Sequence, residues 1–169
     1  MLRIGLLSDT HSYLDPAVFA HFAECDEIWH AGDWGDLKTV TALQDFKPLV
    51  GVYGNIDGKE IRQEVPLYQC FEREGYKISM FHIGGKPGYY PPDAKALVQR
   101  DKPDIWVCGH SHILRVSHDP KFNNLLHLNP GAAGKHGFQK VRTLLRFTLE
   151  DKKIHSMQAI ELNSVSGKL

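Results

Sequence analysis

The chain has 169 residues, 42% apolar and 24% charged, a length and mix that suit one domain with a sizeable core. Its 20 basic residues are matched by 20 acidic ones, which removes the support for binding to nucleic acid or an anionic membrane, since both need a basic excess. No apolar run reaches the length of a membrane span, the first is too short for a secretion signal, and Cys25, Cys70 and Cys108 are too scattered for a thiolate metal site or an obvious disulfide.

A single domain over 1–169, cytoplasmic, with reduced thiols, is therefore expected. Its first apolar run, Leu2 to Leu7, reads as a buried strand that gives way to Ser8-Asp9-Thr10-His11. Asp15 followed by Pro16 predicts a helix start, with the helix carried by Ala17 to Glu24. Glu27 to His30 predicts a strand, and Asp36 a cap for a helix whose Leu37, Val40 and Leu43 share a face. Pro48 to Tyr53 predicts a third strand, closed by the turn formers Gly54-Asn55-Ile56-Asp57-Gly58. Leu67 to Glu72 and Tyr76 to Ile83 then predict a hairpin about Glu74-Gly75, followed by a loop over 84–92. A helix marked by Ala94, Leu97 and Val98 should end before Pro103, and Asp104 to Cys108 should be a strand. Two strands around Asp119-Pro120 (Ile113 to His118, Leu125 to Leu128) and a hairpin about Asp151-Lys152 (Val141 to Glu150, Lys153 to Glu161) complete the chain. There are no repeats and no linker. Helices early and hairpins late suggest two packed sheets with helices outside.

Polar residues able to bind a metal recur where these apolar runs end. Asp9 and His11 follow the first strand, Asp33 the second and Asn55 the third; His82 lies near the end of the hairpin strand, and His110 and His112 follow the strand over 104–108. In open α/β sheets, side chains after the carboxyl ends of strands line the ligand crevice. Carboxylate, imidazole and amide oxygen without thiolate suit borderline-hard divalent ions. Seven donors exceed the needs of one such ion and suit two, bridged by a carboxylate. A pair of ions about 4 Å apart can clamp the oxygens of a phosphoryl displacement and lower the pKa of water towards ~7, supplying hydroxide for hydrolysis of a phosphate ester.

Asp9-Thr10-His11, Gly32-Asp33, Gly54-Asn55, His82 and Gly109-His110-Ser111-His112 resemble the ordered motif set of the calcineurin-like metallophosphoesterases. The likeness is greatest to the small single-domain branch, with its phosphodiesterases and the metallophosphoesterase-like subunit of retromer; Asn129-Pro130-Gly131 resembles a turn of that branch. The resemblance implies a four-layer α/β/β/α sandwich with the site at the sheet ends. It implies one metal on Asp9, His11, Asp33 and His112 and another on Asp33, Asn55, His82 and His110, with Asp33 as the bridge. Two divalent ions are implied, manganese first, with iron, zinc or nickel possible. Asn55 would also direct its amide at a phosphate oxygen, and Asp57 would stand behind the ligands and orient a histidine. The substrate would be a small phosphodiester, attacked in line, and self-association into a homo-oligomer is open by analogy.

One departure matters. Many relatives place a histidine after the asparagine, where this chain has Ile56, so no leaving-group acid is assigned. A second reading is an interaction scaffold of the same fold that has lost catalysis; the intact set of seven donors favours the enzyme. Among the other histidines, His30 ends a strand close to Asp33 and could stand behind the ligands; His21, His118, His127 and His155 read as structural or solvated, and His136 as part of an exposed loop. Lys86, Tyr89 and Tyr90 lie where a lid over the substrate could form.

Overall fold

The first strand, β1 (Leu2–Leu7), is buried on both faces, which is why it is apolar nearly throughout. Its alternation sends Ile4 and Leu6 to one side, where they meet Trp29, Ile78, Met80, Val107, Leu128 and Phe147 in a core between two sheets. Leu7 points the other way, into a second core with Val18, Phe22, Val40 and Leu43 beneath helices. A third core joins Phe81, Trp106 and Leu125 to Ala94 and Val98 of a helix on the far side. Three cores separate four layers, α/β/β/α, in a computed structural model that describes residues 1–162.

The first sheet has the order β10-β9-β1-β2-β3, and the second β4-β5-β6-β8-β7. The first sheet uses β2 (Glu27–His30), β3 (Leu49–Gly51), β9 (Arg142–Glu150) and β10 (Lys153–Leu162) beside β1. The second uses β4 (Tyr68–Arg73), β5 (Tyr76–Phe81), β6 (Ile105–Val107), β7 (Leu114–Asp119) and β8 (Leu125–Pro130). β1, β2 and β3 are parallel, as are β5, β6 and β8. Parallel strands share a carboxyl edge, so the loops after β1, β2, β3, β5 and β6 can meet at one end of the sandwich.

Helices α1 (Ala17–His21), α2 (Leu37–Phe46) and α3 (Lys59–Glu64) accompany the first sheet, and α4 (Pro92–Asp101) the second. Asp36 caps α2 as its position predicts, accepting from the Thr39 N–H at 2.9 Å. Two helices differ from expectation. α1 stops at His21 rather than Glu24, because Asp26 must reach back to β1, where its carboxylate accepts from the Arg3 N–H at 2.8 Å and its own N–H donates to the Arg3 carbonyl. α3 was not expected: in Lys-Glu-Ile-Arg-Gln-Glu only Ile61 is buried, so the segment has no apolar stripe to read. The strand expected over 48–53 shortens to Leu49–Gly51, and the hairpins form within a residue or two of their predicted bounds. Among the described residues no helix is long and apolar enough to cross a membrane.

His127 of β8 tests the packing of the second sheet. It is fully buried, and among the described residues neither ring nitrogen finds a hydrogen-bond partner. Burial, with Arg115 nearby, pushes its pKa from 6.5 down to about 4. The folded value lies below the unfolded one, so the unfolded chain binds more protons in that interval and stability must fall as pH drops from 6.5 to about 4. The loss from this one group should approach about 3 kcal/mol. Urea unfolding at several pH values should show this slope, and His127→Phe should flatten it.

Candidate metal centre

Each donor sits just past a strand, and the backbone there is unusual. Asp9 (φ 54°), His11 (45°), Asp33 (57°), His110 (69°) and His112 (60°) all adopt left-handed conformations. Such values are uncommon for residues with a side chain, and they persist only where the surroundings enforce them. Here the chain leaves each strand and doubles back at once, which turns successive side chains to the same edge. Backbone bonds lock these turns to one another: Asp9 N–H donates to Gly32 O, His11 N–H to Asp33 O, and Gly109 N–H to His82 O.

The donors gather into two clusters. Asp9, His11 and His112 form one, and Asp33, His82 and His110 the other; within each, ligand atoms lie within 4.8 Å of one another. Asp9 Oδ1 is 3.2 Å from His112 Nε2 and 3.9 Å from both His11 and His82 Nε2. Asp33 Oδ2 is 3.2 Å from His82 Nε2 and 3.5 Å from His11 Nε2, so it stands between the clusters. Asn55 Oδ1 reaches His110 Nδ1 at 3.0 Å, which brings the seventh donor to the rim of the second cluster.

Three of these atoms, Asp9 Oδ1, His11 Nε2 and His82 Nε2, are buried and make no hydrogen bond among the described residues. Orphaned buried polar atoms are costly, and here they converge on one place. A divalent cation would satisfy them, and the donor set of nitrogen and oxygen without sulfur fits the ions named above.

Groups behind the donors aim them. Ser8 Oγ and the His110 N–H both donate to Asp9 Oδ2, at 2.6 and 3.1 Å, which leaves Oδ1 facing the cluster. The Ala31 carbonyl accepts from His82 Nδ1 at 2.7 Å, freeing Nε2 as a ligand. Gln139 does the same for His112: its Oε1 accepts from Nδ1 at 2.8 Å, while its own amide donates to the Gly134 and His136 carbonyls. The Gly32 N–H donates to His30 Nδ1, so the His30 proton is on Nε2 and meets Thr10 Oγ1 at 3.1 Å. That ring, at the end of β2, stacks on Trp34 with centroids 3.6 Å apart, so it braces the residues beside Asp9, His11 and Asp33 rather than a donor itself.

Electrostatics follow the same geometry. Burial lowers the pKa of His11, against the pull of Asp33 and Asp9, and burial with His82 lowers that of His110. His112 is raised, chiefly by Asp9. For His82 burial acts downward, but Asp33, Asp9 and the Ala31 carbonyl together outweigh it and raise the value. Burial works to raise Asp33, but His82 and the Ile56 N–H lower it overall.

The structure changes one expected role. Asp57 does not orient a histidine: its carboxylate accepts from the backbone N–H groups of Trp34, Gly35 and Gly54, at 3.2, 3.0 and 2.8 Å, and so clamps the loop after β2 to the loop after β3. His136 is also closer than expected, stacked on His11 with centroids 4.7 Å apart. Ser8 and Gln139 escaped the sequence reading. Ser8 adjoins a predicted ligand and could have been suspected; Gln139 lies 27 residues from His112 and carries no local signal. Tyr90 turns away from the centre to donate to Asp119, whereas Tyr89 is exposed.

A cleft of about 560 Å³ opens over the donors, lined by His11, Asp33, Asn55, His110 and His112 and by the apolar side chains of Ile56, Ile113 and Phe138. Two clusters of nitrogen and oxygen donors at the carboxyl edge of a four-layer sandwich are able to hold divalent metal. Residues 2–152 match the calcineurin-like phosphoesterase superfamily domain, and the chain belongs to that superfamily, which supports phosphoester hydrolysis as its general chemistry. It is 30% identical over 159 residues to a probable metallophosphoesterase of Methanocaldococcus jannaschii, covering 89% of this chain and 78% of that one. It is 29% identical over 136 residues to a probable metallophosphoesterase of Methanothermobacter thermautotrophicus, covering 78% and 77%. In fold it is similar to wild-type Vps29 of Entamoeba histolytica complexed with zinc, with a TM-score of 0.71 at 19% identity over 95% of this chain and 98% of that one.

Proposed function

We propose that the chain is a two-metal phosphodiesterase. The observation that carries this reading is Asp33 Oδ2, within 3.5 Å of an imidazole nitrogen in each cluster and so able to serve both. Asp9, His11, Asp33 and His112 would hold one ion, and Asp33, Asn55, His82 and His110 the other, with manganese the first candidate. Two such ions supply Lewis-acid charge at phosphoryl oxygens and acidify water to a pKa of ~7.

The protein's own part is positioning. Ser8, Ala31, Gln139 and the clamp of Asp57 fix the donors before substrate arrives, so little reorganisation accompanies binding. Asn55 is exposed at the cleft, where its side-chain N–H can donate to a phosphate oxygen. Ile56 beside it offers an apolar wall and no proton, so nothing at that position protonates a leaving oxygen. Aryl phosphodiesters, whose leaving oxide is stable unprotonated, should therefore be cleaved much faster than alkyl ones. Equal rates on a matched pair would mean that another residue supplies the acid.

The direct test compares manganese-loaded and chelator-stripped protein on a chromogenic bis-aryl phosphodiester. Turnover should require metal, and His82→Ala should lower it more than about 100-fold, beyond the cost of losing a supporting partner. A second reading, an interaction scaffold, is favoured by the apolar rim: Ile113 is 60% and Phe138 fully exposed beside the centre. Metal bound at both clusters without turnover would decide for the scaffold.

A further inference from the structure

A second cleft, of about 420 Å³, adjoins the metal centre and shares His110, Ser111 and Ile113 with the first as a common wall. Its chemistry differs. Lys86 and Arg115 both line it, and no carboxylate does. Among the described residues neither of these two side chains has an ion-pair or hydrogen-bond partner.

Both cations stand on backbone that is fixed by its own pairing. Arg115 is in β7 directly opposite Asn129 of β8, so the two side chains share a sheet face. Asn129 in turn donates to the Gly109 carbonyl and to Ser111 Oγ, at 3.0 and 3.1 Å, tying the floor of the cleft to the loop that carries His110. Lys86 begins a tight turn closed by reciprocal backbone bonds with Tyr89, each 2.9 Å, four residues after His82. A half-buried guanidinium without a counter-charge is unfavourable, and an anion entering the cleft would relieve it.

We propose that this cleft is a subsite for a second phosphate, carried on one ester arm of the substrate and seated between Lys86 and Arg115. The proposal rests on the phosphodiesterase reading. The scissile phosphorus would lie at the metal centre, its leaving aryl arm in the cleft of Ile56 and Phe138 and its retained, phosphorylated arm in the basic cleft. Hydrolysis breaks the phosphorus–oxygen bond to the leaving arm and forms one to the water oxygen; the water's protons pass to the leaving oxide and to solvent, and the second phosphate is unchanged. Tyr89, 70% exposed at the mouth, offers a ring face to the connecting arm.

Two measurements test this. In metal-free protein the carboxylates of the centre repel anions, so inorganic phosphate titrated against backbone amide NMR signals should shift Gly85, Lys86 and Arg115. The Lys86→Ala/Arg115→Ala double variant should lose those shifts; shifts absent from the wild type, or kept in the variant, would overturn the subsite. With manganese bound, paired p-nitrophenyl diesters whose short alkyl arm ends in phosphate or in hydroxyl should differ at least about tenfold in kcat/KM in favour of the phosphate. The ratio should fall towards one in the double variant and recover in part when Arg115→Lys replaces Arg115→Ala. Cleavage of both esters without preference would overturn the subsite and leave the phosphodiesterase standing. Cleavage of neither would overturn the phosphodiesterase, and the phosphate titration would then decide the cleft alone.

Discussion

If the centre holds two divalent ions as proposed, Asp33→Asn should reduce them to at most one and lower kcat/KM on an aryl phosphodiester by well over about 100-fold. The side chain changes by one atom and the shape hardly at all, so packing is not at issue. What disappears is the charge that stands between the clusters, with Oδ2 at 3.2 Å from His82 Nε2 and 3.5 Å from His11 Nε2. Removing a partner that merely orients a ligand costs about 10–100-fold; removing a carboxylate that two ions would share should exceed that. The metal-free protein offers an independent readout. His82 is raised because Asp33, Asp9 and the Ala31 carbonyl together outweigh burial. Without the Asp33 charge burial gains, so the His82 pKa should fall, and NMR titration of the ring would follow it. Retention of two ions by the variant would show that another oxygen bridges the pair. An unchanged His82 titration would show that Asp33 does not set its charge state.

Much of this arrangement was legible in the chain, for a definite reason. β1 is an apolar run that gives way at once to Ser8-Asp9-Thr10-His11, as a strand buried on both faces surrenders polar residues to its ends. β2 and β5, which carry polar residues of their own, are followed within three residues by Asp33 and His82. Asp9, Asp33 and His82 could therefore be placed on one edge before any pairing was known. The sheet order could not, because β9 inserts beside β1 from more than a hundred residues away through backbone bonds that leave no residue-type signature. Backbone partners explain the error over Asp57 as well. Its three donors are the N–H groups of Trp34, Gly35 and Gly54, and an amide N–H is present at nearly every residue. The helix α3 escaped because Gly58 gives it no side-chain cap and Ile61 alone is buried. The left-handed backbone at five donors is a property of the assembled loops, invisible in the residue types that adopt it.

The packing of Gly54 against Asp33 sets up the other large effect, since a methyl group there should disable the centre with every donor residue left in place. Gly54 does not have a left-handed φ, so alanine is conformationally admissible at the position. Its Cβ, however, would overlap both Asp33 Oδ1 and the Asp33 backbone nitrogen, and come within 2.8 Å of Asp33 Cγ. Retreat is obstructed, because the Gly54 N–H is bonded to Asp57 at 2.8 Å and the Ile56 N–H to Asp33 Oδ1 at 3.1 Å. The loop that carries Asp33 must therefore move, backbone and carboxylate together, and overpacking of a buried site costs about 1–3 kcal/mol. Gly54→Ala should lower the urea midpoint accordingly, weaken the second metal and reduce turnover nearly as far as Asp33→Asn does. Gly58→Ala is the matched control. It lies four residues further along the same loop with nothing within 4 Å of its added Cβ, so its stability should stay within about 0.5 kcal/mol of wild type and its metal content unchanged. If Gly54→Ala bound both ions at native stability, Asp33 would have room to shift while still bridging. The clusters would then owe their geometry to the ions rather than to the loops, reversing the order of cause argued from the left-handed turns.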